Sequence, residues 1–250
     1  MKNKLKILIY LGSLSTSLFF LISCAVSPVL IKNSPEDYKA IKNHNVGVAF
    51  FIPDKRVVFT EQIYLVMGYS DQVSFHAYEG IWDPIPVLQE KVFSELNSKY
   101  QITPINLNEF MRPEAFSKIN ELLEEKLIQD FILVKKTGQN NVFLRDKLPV
   151  NILNKLKELN IDYFLEVYLA SLSFYDFAHY DWIQSGVQTY SRLNRVSDGS
   201  IVWLNKSRGG ALLKNLNSLA ELENNDMALM KKGYQEAVSN CEILIGFAPQ

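Results

Sequence analysis

Metal ligation or nucleophilic catalysis in this chain would fall to very few residues: three histidines, His44, His76 and His179, and two cysteines, Cys24 and Cys241. The histidines stand in separate segments with no HxH, HExxH or paired-cysteine spacing, so the pattern builds no zinc site, which needs several ligands converging at fixed spacing. A triad hydrolase needs a nucleophile, a base and an orienting acid within hydrogen-bond reach. His179 beside Asp176 or Asp181 is the one grouping the sequence offers for that role. It comes without the GxSxG turn that exposes a nucleophile, and no P-loop or GxGxxG is present for phosphate. No catalytic residue, metal ligand or cofactor is assigned on these grounds.

Cys24 has a different chemistry, set by what precedes it. The opening "MKNKLK" carries three lysines and no acid, and residues 7–31 are uncharged, a positive n-region followed by an apolar h-region of the export type. A retained membrane anchor and an ordinary secretory signal are the alternatives; both, like the leading reading, leave the remainder exported, because lysines stay cytoplasmic. Leu21, Ile22, Ser23 and Cys24 resemble the lipobox of bacterial lipoproteins: an aliphatic residue, a tolerant position, a small residue and the cysteine. The resemblance implies cleavage before Cys24, a diacylglycerol (palmitate-type chains) on its sulfur and a further chain on its freed amine. Several acyl chains hold a protein to a bilayer durably where one does so only marginally. In lipoproteins of diderm bacteria an aspartate after the cysteine favours the inner membrane, so Ala25 implies the outer membrane, with the chain on its periplasmic face.

The organisation expected is therefore a signal peptide over residues 1–23, an acylated cysteine and tether over 24–45, and a single periplasmic domain over 46–250. The stretch "SPVLIKNSPEDYKAIKNHN" is polar and bears prolines, and about 15 flexible residues would lift the domain roughly 20 Å from the lipid. With 26 basic against 27 acidic residues, the chain lacks the basic excess of a nucleic-acid-binding surface. With Cys24 acylated, Cys241 has no intrachain partner. Its place on the apolar stripe of a helix makes it a buried thiol.

The elements predicted are those of an α/β fold, a mixed sheet with flanking helices. "VGVAFFIP" is a short apolar run bounded by turn residues, a buried strand. Residues 55–80 read as an extended ribbon, aromatic and β-branched. In "DPIPVLQEKVFSELNSKY", Asp83 caps and Ile85, Leu88, Val92 and Leu96 line one helical face. A short strand "YQITPIN" ends near Pro104, and Pro113 opens a helix whose face is Phe116, Ile119, Leu122, Leu123 and Leu127. A turn over 136–147 leads to the helix "LPVNILNKLKELN", with Val150, Leu153, Leu156 and Leu159 inward. "IDYFLEVYLASLSFYD" is apolar at both alternating sets, a central strand covered on both faces. "VQTYSRLNRV" and "IVWLNKS" flank Asp198-Gly199, a hairpin signal, and a long helix closes the chain from Asn215 to Ile245.

The order from "NIDYFLEVYLASLS" through "VQTYSRLNRVSDGSIVW" to the closing helix resembles a group of bacterial envelope lipoproteins with an α/β core. The group includes the curli-secretion channel lipoproteins, the outer-membrane activators of peptidoglycan synthases and the amino-terminal domain of TolB. Arg192, Leu193, Asp198, Gly199 and Trp203 stand where that group commonly reads "aRLvd..tG..lW". Residues 55–82 depart from it, being longer and more aromatic.

Two aromatic segments form the candidate partner surface: "FHAYEGIW" with Phe75, Tyr78 and Trp82, and "SFYDFAHYDW" with Tyr175, Phe177, Tyr180 and Trp182. Aromatic residues with polar handles are enriched at protein and membrane interfaces, though they also close the ends of sheets. The leading reading is a non-enzymatic, membrane-anchored lipoprotein that docks to another envelope protein in assembly, transport or wall maintenance. The alternatives are an oligomeric secretion-channel subunit, with residues 55–80 as membrane hairpins, and a periplasmic hydrolase. The partners expected are membrane lipid through Cys24, an envelope protein and a second copy of the chain, with no nucleic acid.

Overall fold

A computed structural model describes residues 29–32, 41–52, 55–110, 147–178, 180–216 and 218–244. The signal peptide, the lipobox with Cys24, most of the tether, the helix expected after Pro113, the 136–147 turn apart from Lys147, and His179 lie outside the described residues. Strands β1 (Val29–Lys32), β2 (Val46–Phe51), β3 (Arg56–Leu65) and β4 (Gly68–Ala77) come first. Helix α1 (Ile85–Tyr100), strand β5 (Pro104–Asn106), and helices α2 (Leu107–Phe110) and α3 (Val150–Glu158) follow. Three long strands, β6 (Tyr163–Asp176), β7 (Trp182–Arg195) and β8 (Ile201–Lys214), then lead through a 3-10 turn (Leu219–Glu223) to α4 (Asn224–Ser239).

All eight strands join one mixed sheet, in the order β1-β8-β7-β6-β2-β5 with β3 and β4 attached beside β6. Strand β6 is its spine. Along one side it pairs antiparallel with β7 over its whole length. On the other side Tyr163–Tyr168 pair in parallel with β2, and Leu172–Asp176 pair in parallel with β3. The apolar content of both alternating sets of β6 is thereby explained, because its first half is covered on both faces. A register shift between Leu169 and Ser171 marks a bulge. One extra residue reverses the parity of the strand, so Tyr163, Leu165, Val167 and Leu169 share the main core with Leu172 and Phe174.

The main core lies between the sheet and α1 with α4. Leu88, Val92 and Leu96 of α1 are fully buried, as their spacing predicts. The Ile85 amide donates to Asp83 Oδ1 at 3.0 Å, so Asp83 serves the helix start ahead of Pro84. Tyr234 of α4 is buried and its hydroxyl donates to the Pro84 carbonyl at 2.9 Å, joining the two helices. Helix α4 sits close on β8 because position 209 is glycine: a Cβ there would lie 2.1 Å from the Ala237 carbonyl oxygen. On the opposite face a smaller core gathers Ala49, Phe51, Leu107, Phe164, Tyr168 and Tyr190 under α3.

Several elements differ from expectation. Val29–Lys32 of the expected tether pair antiparallel with β8, so the sheet begins upstream of residue 46. Strand β5 starts at Pro104 instead of ending there; a residue without an N–H fits the first position of an edge strand. In α3 the buried residues are Ile152, Leu153 and Leu156, while Val150 is 71% exposed, because the helix only begins at Val150, after Pro149. The closing helix ends at Ser239, after which Ile243 and Leu244 fold back into the core, held by the Asn205 amide on the Ile243 carbonyl at 2.9 Å and the Tyr100 hydroxyl on the Leu244 carbonyl at 2.9 Å.

One charged pair is sealed inside the sheet. Glu166 and Arg192 are 1% and 0% exposed and face each other across β6 and β7. Glu166 also accepts from the Tyr168 hydroxyl and, at 2.8 Å, from the Asn194 side-chain amide. Removing one member of a buried pair typically costs about 3–5 kcal/mol, whereas replacing both with apolar groups is often close to neutral. Glu166→Leu is expected to lower the urea unfolding free energy by about that much, and adding Arg192→Met to recover most of the loss. Equal losses in the single and double variants would contradict this.

Candidate functional site

The long strands end where β6 turns into β7, and there the structure gathers most of one predicted aromatic segment. The Tyr175 and Phe177 rings stand 4.1 Å apart, Phe177 and Trp182 5.0 Å, and Tyr180 and Trp182 4.7 Å. Tyr180 is 56% exposed, and the other three are half-buried beneath it. Alternation explains the arrangement: Phe174 points into the main core, so Tyr175 points to the face that α3 leaves uncovered beyond the middle of the sheet.

Tyr175 ties this cluster to the β3–β4 hairpin. Its hydroxyl donates to Asp71 Oδ1 at 2.6 Å and receives the Gln62 side-chain amide at 3.5 Å. Burial together with the Asp71 carboxylate pushes the phenol up to about 12, so it stays a neutral donor. Farther along the hairpin Tyr64 and Tyr69 form a cross-strand pair, rings 4.7 Å apart and hydroxyls 3.2 Å apart. Beyond them Leu65, Val66 and Met67 make the tip, exposed by 54%, 104% and 98%.

The other predicted segment divides. Phe75 is 51% exposed on β4, with the Arg56 guanidinium 5.0 Å above its ring. It shares the face of Tyr175 but sits level with Ser173, short of the cluster. Tyr78 is 2% exposed and Trp82 half-buried; Trp82 packs 5.6 Å from Tyr78 and edge-on to Tyr234 at 5.0 Å. Tyr78 is a core residue and Trp82 packs against the core, away from the Tyr180 cluster.

The ionisable groups are dispersed. His44 pairs with Asp162 at 3.1 Å and His76 with Glu223 at 2.7 Å, at separate places. Among the described residues no group of three or more His, Cys, Asp or Glu gathers as a metal would require. Cys241 is 1% exposed beside Ser207 and Thr189, and burial pushes its thiol up, which leaves it unreactive. Asp176 lies in register with Glu61, and burial followed by that like charge raises its carboxyl above the ordinary value.

The hairpin tip falls within residues 55–80, which the sequence marks as an extended ribbon and, in the channel alternative, as membrane hairpins, with no residue of the tip singled out. Its signal is the uncharged run from Gln62 to Ser70, whose seven central residues "IYLVMGY" hold six large apolar or aromatic side chains.

No family model matches the chain, and no curated protein does. Solved structures do. A PelC dodecamer from Paraburkholderia phytofirmans aligns over 90% of this chain and 99% of its own, at 10% identity and a TM-score of 0.36. Protein XCC0632 from Xanthomonas campestris aligns over 82% of each chain at 9% identity and 0.39. The LpoB C-terminal domain from Salmonella enterica covers 68% of this chain and 82% of its own at 12% and 0.21. Lipoprotein GNA1162 from Neisseria meningitidis covers 76% and 96% at 10% and 0.30. Of these, GNA1162 is a lipoprotein. At such identities and scores the likeness assigns no activity or partner to this chain.

A raised carboxyl destabilises the folded state in its charged form, so the stability it permits is present at low pH and is lost as pH rises through the carboxylate range. Asp176→Asn is expected to raise Tm at pH 7, with the difference from wild type closing as pH falls through that range. A variant that melts lower at pH 7 would show that the Asp176 charge is needed where it stands.

Proposed function

We propose that the chain is a non-enzymatic lipoprotein of the cell envelope, held in the outer membrane by acyl chains on Cys24, whose domain docks another envelope protein. The observation that carries this reading is the close-packed cluster of Tyr175, Phe177, Tyr180 and Trp182, open to solvent at Tyr180 and anchored to the hairpin through Asp71. Rigid aromatic side chains that keep a polar tip in water are what partner surfaces use as anchors. The lipobox sequence supports the membrane attachment.

A second reading, a subunit of an oligomeric secretion channel, draws support from the outer edge of β4. Among the described residues β4 pairs with β3 alone, and an open strand edge is a template for another chain.

Cys24→Ser is expected to abolish palmitate labelling and to move the chain from the membrane to the soluble envelope fraction. Photo-crosslinking from Tyr180 in cells is expected to capture one dominant envelope protein. Self-adducts alone, with an oligomer by light scattering in mild detergent, would favour the channel subunit. No adduct would make the cluster a lid on the sheet and sink the docking reading.

A further inference from the structure

The face of the sheet that carries Tyr175 also carries cations to which the fold supplies no acid. Lys206 and Arg208 of β8 stand two residues apart on it, in register with Tyr190 and Gln188 of β7. Among the described residues neither makes an ion pair. The Lys206 amine lies 5.3 Å from the centroid of the Tyr190 ring, and burial, followed by the Arg208 charge, pushes it down. Like charges side by side on one sheet face repel, and a half-buried amine loses hydration. The domain alone gains nothing from either; an anion laid over the two side chains offsets both.

The register shows what lies between these cations and the next. Arg208 is opposite Gln188, and Gln188 is opposite Ser171 of β6. Arg56 of β3 precedes Val57, which is level with Leu172, so Arg56 ends the same row. It is exposed, and its guanidinium lies over the Phe75 ring. The row therefore reads Arg208, Gln188, Ser171, Arg56 across four strands, with an arginine at each end, about 14 Å apart at ~4.8 Å per strand. Between them the floor is an amide and a hydroxyl, both half-buried and neutral. On one side the next row, Phe51, Tyr168 and Tyr190, is closed into the smaller core. On the other side Ser173 leads, one alternation further, to Tyr175 and the aromatic cluster.

Spacing selects the occupant. Side chains on one side of an extended segment recur every two residues, and at ~3.4 Å per residue a pair four positions apart spans about 14 Å. Arginine pairs with a carboxylate through two parallel hydrogen bonds. Arginine, tyrosine and tryptophan together are the residues that protein interfaces enrich, whereas a lipid surface offers negative charge at no set spacing. We propose that this row binds an extended acidic segment of the partner protein, one carboxylate meeting Arg208 and Lys206 and a second, four residues along, meeting Arg56. The inference rests on the docking reading and supplies the chemistry of the partner.

The test uses the full chain in mild detergent and a short fluorescein-labelled peptide, Gly-Ser-Glu-Thr-Ser-Thr-Glu-Ser-Gly, whose glutamates stand four apart. Fluorescence anisotropy at low salt is expected to show saturable binding, several-fold tighter than for a peptide with its glutamates two apart and lost when both are lysine. Arg208→Gln and Arg56→Gln, at exposed positions, are each expected to weaken binding several-fold with Tm unchanged. Lys206→Met is expected to weaken binding without lowering Tm, because it removes the penalised charge and keeps the apolar stem; a lysine that serves only the fold would give a lower Tm. Equal binding of the two spacings, or binding unmoved by these substitutions, would overturn the proposal. Binding of phosphatidylglycerol vesicles through the same residues, with no binding of the peptide, would overturn it in favour of a lipid contact. A Tyr180 crosslink to one envelope protein that persists in Arg208→Glu with Arg56→Glu, beside a peptide that does not bind, would sink the acidic segment and leave the docking reading standing. Peptide binding without any Tyr180 adduct would support this row and discard the aromatic cluster as the docking surface.

Discussion

Strand β6 is longer than any neighbour on its parallel side, and the rest of the molecule follows from how that is resolved. Its first half takes β2 and is covered on both faces, by α1 and α4 on one and by α3 on the other. The second half takes β3, and only the α4 face remains covered: Phe174 packs near Gly233 and edge-on to Phe59, while Tyr175 looks out. The bulge at Ala170 makes the handover workable, because it resets which side chains point inward where the neighbour changes. One end of the sheet is thus built as core and the other as surface.

The sealed Glu166–Arg192 pair belongs to the core end. Its members lie on the two central strands, with Asn194 and Tyr168 completing the carboxylate's shell. A one-residue slip of β7 against β6 would carry Arg192 to the opposite face of the sheet and leave Glu166 buried without its cation. We read the pair as a register lock for two 14-residue strands whose apolar side chains alone would tolerate sliding. The close seat of α4 at Gly209 adds a steric lock of the same kind on β8.

Much of this was legible in the sequence, and the exceptions have physical causes. Leu88, Val92 and Leu96, the doubly covered start of β6 and the Asp198-Gly199 turn were written in periodicity and turn chemistry. Strand β1 was not, because "VLIK" in a polar, proline-bearing stretch becomes a strand only through the edge of β8 waiting for it. Residues 55–80 were read as a ribbon, but which of their aromatics face out depends on where β6 ends. Tyr78 and Trp82 look like Tyr180 and Trp182 in sequence; the first two pack toward the core because Trp82 meets Tyr234 of α4 and Tyr78 meets Trp82. Arg192 stood within the hairpin motif that carries the family resemblance, and an acid in the apolar "YFLEVYL" was the available sign of its partner.

The division into a core end and a surface end gathers exposed apolar side chains at one end: the hairpin tip projects farthest, and the aromatic cluster lies one step back along the same end. Native-state hydrogen exchange of the monodisperse chain in mild detergent tests the division most directly. Amides of β6 between Tyr163 and Tyr168 are expected to exchange only through global unfolding, and those of β4 through local opening orders of magnitude faster. Protection of β4 equal to that of β6 would contradict a sheet with one closed and one open end.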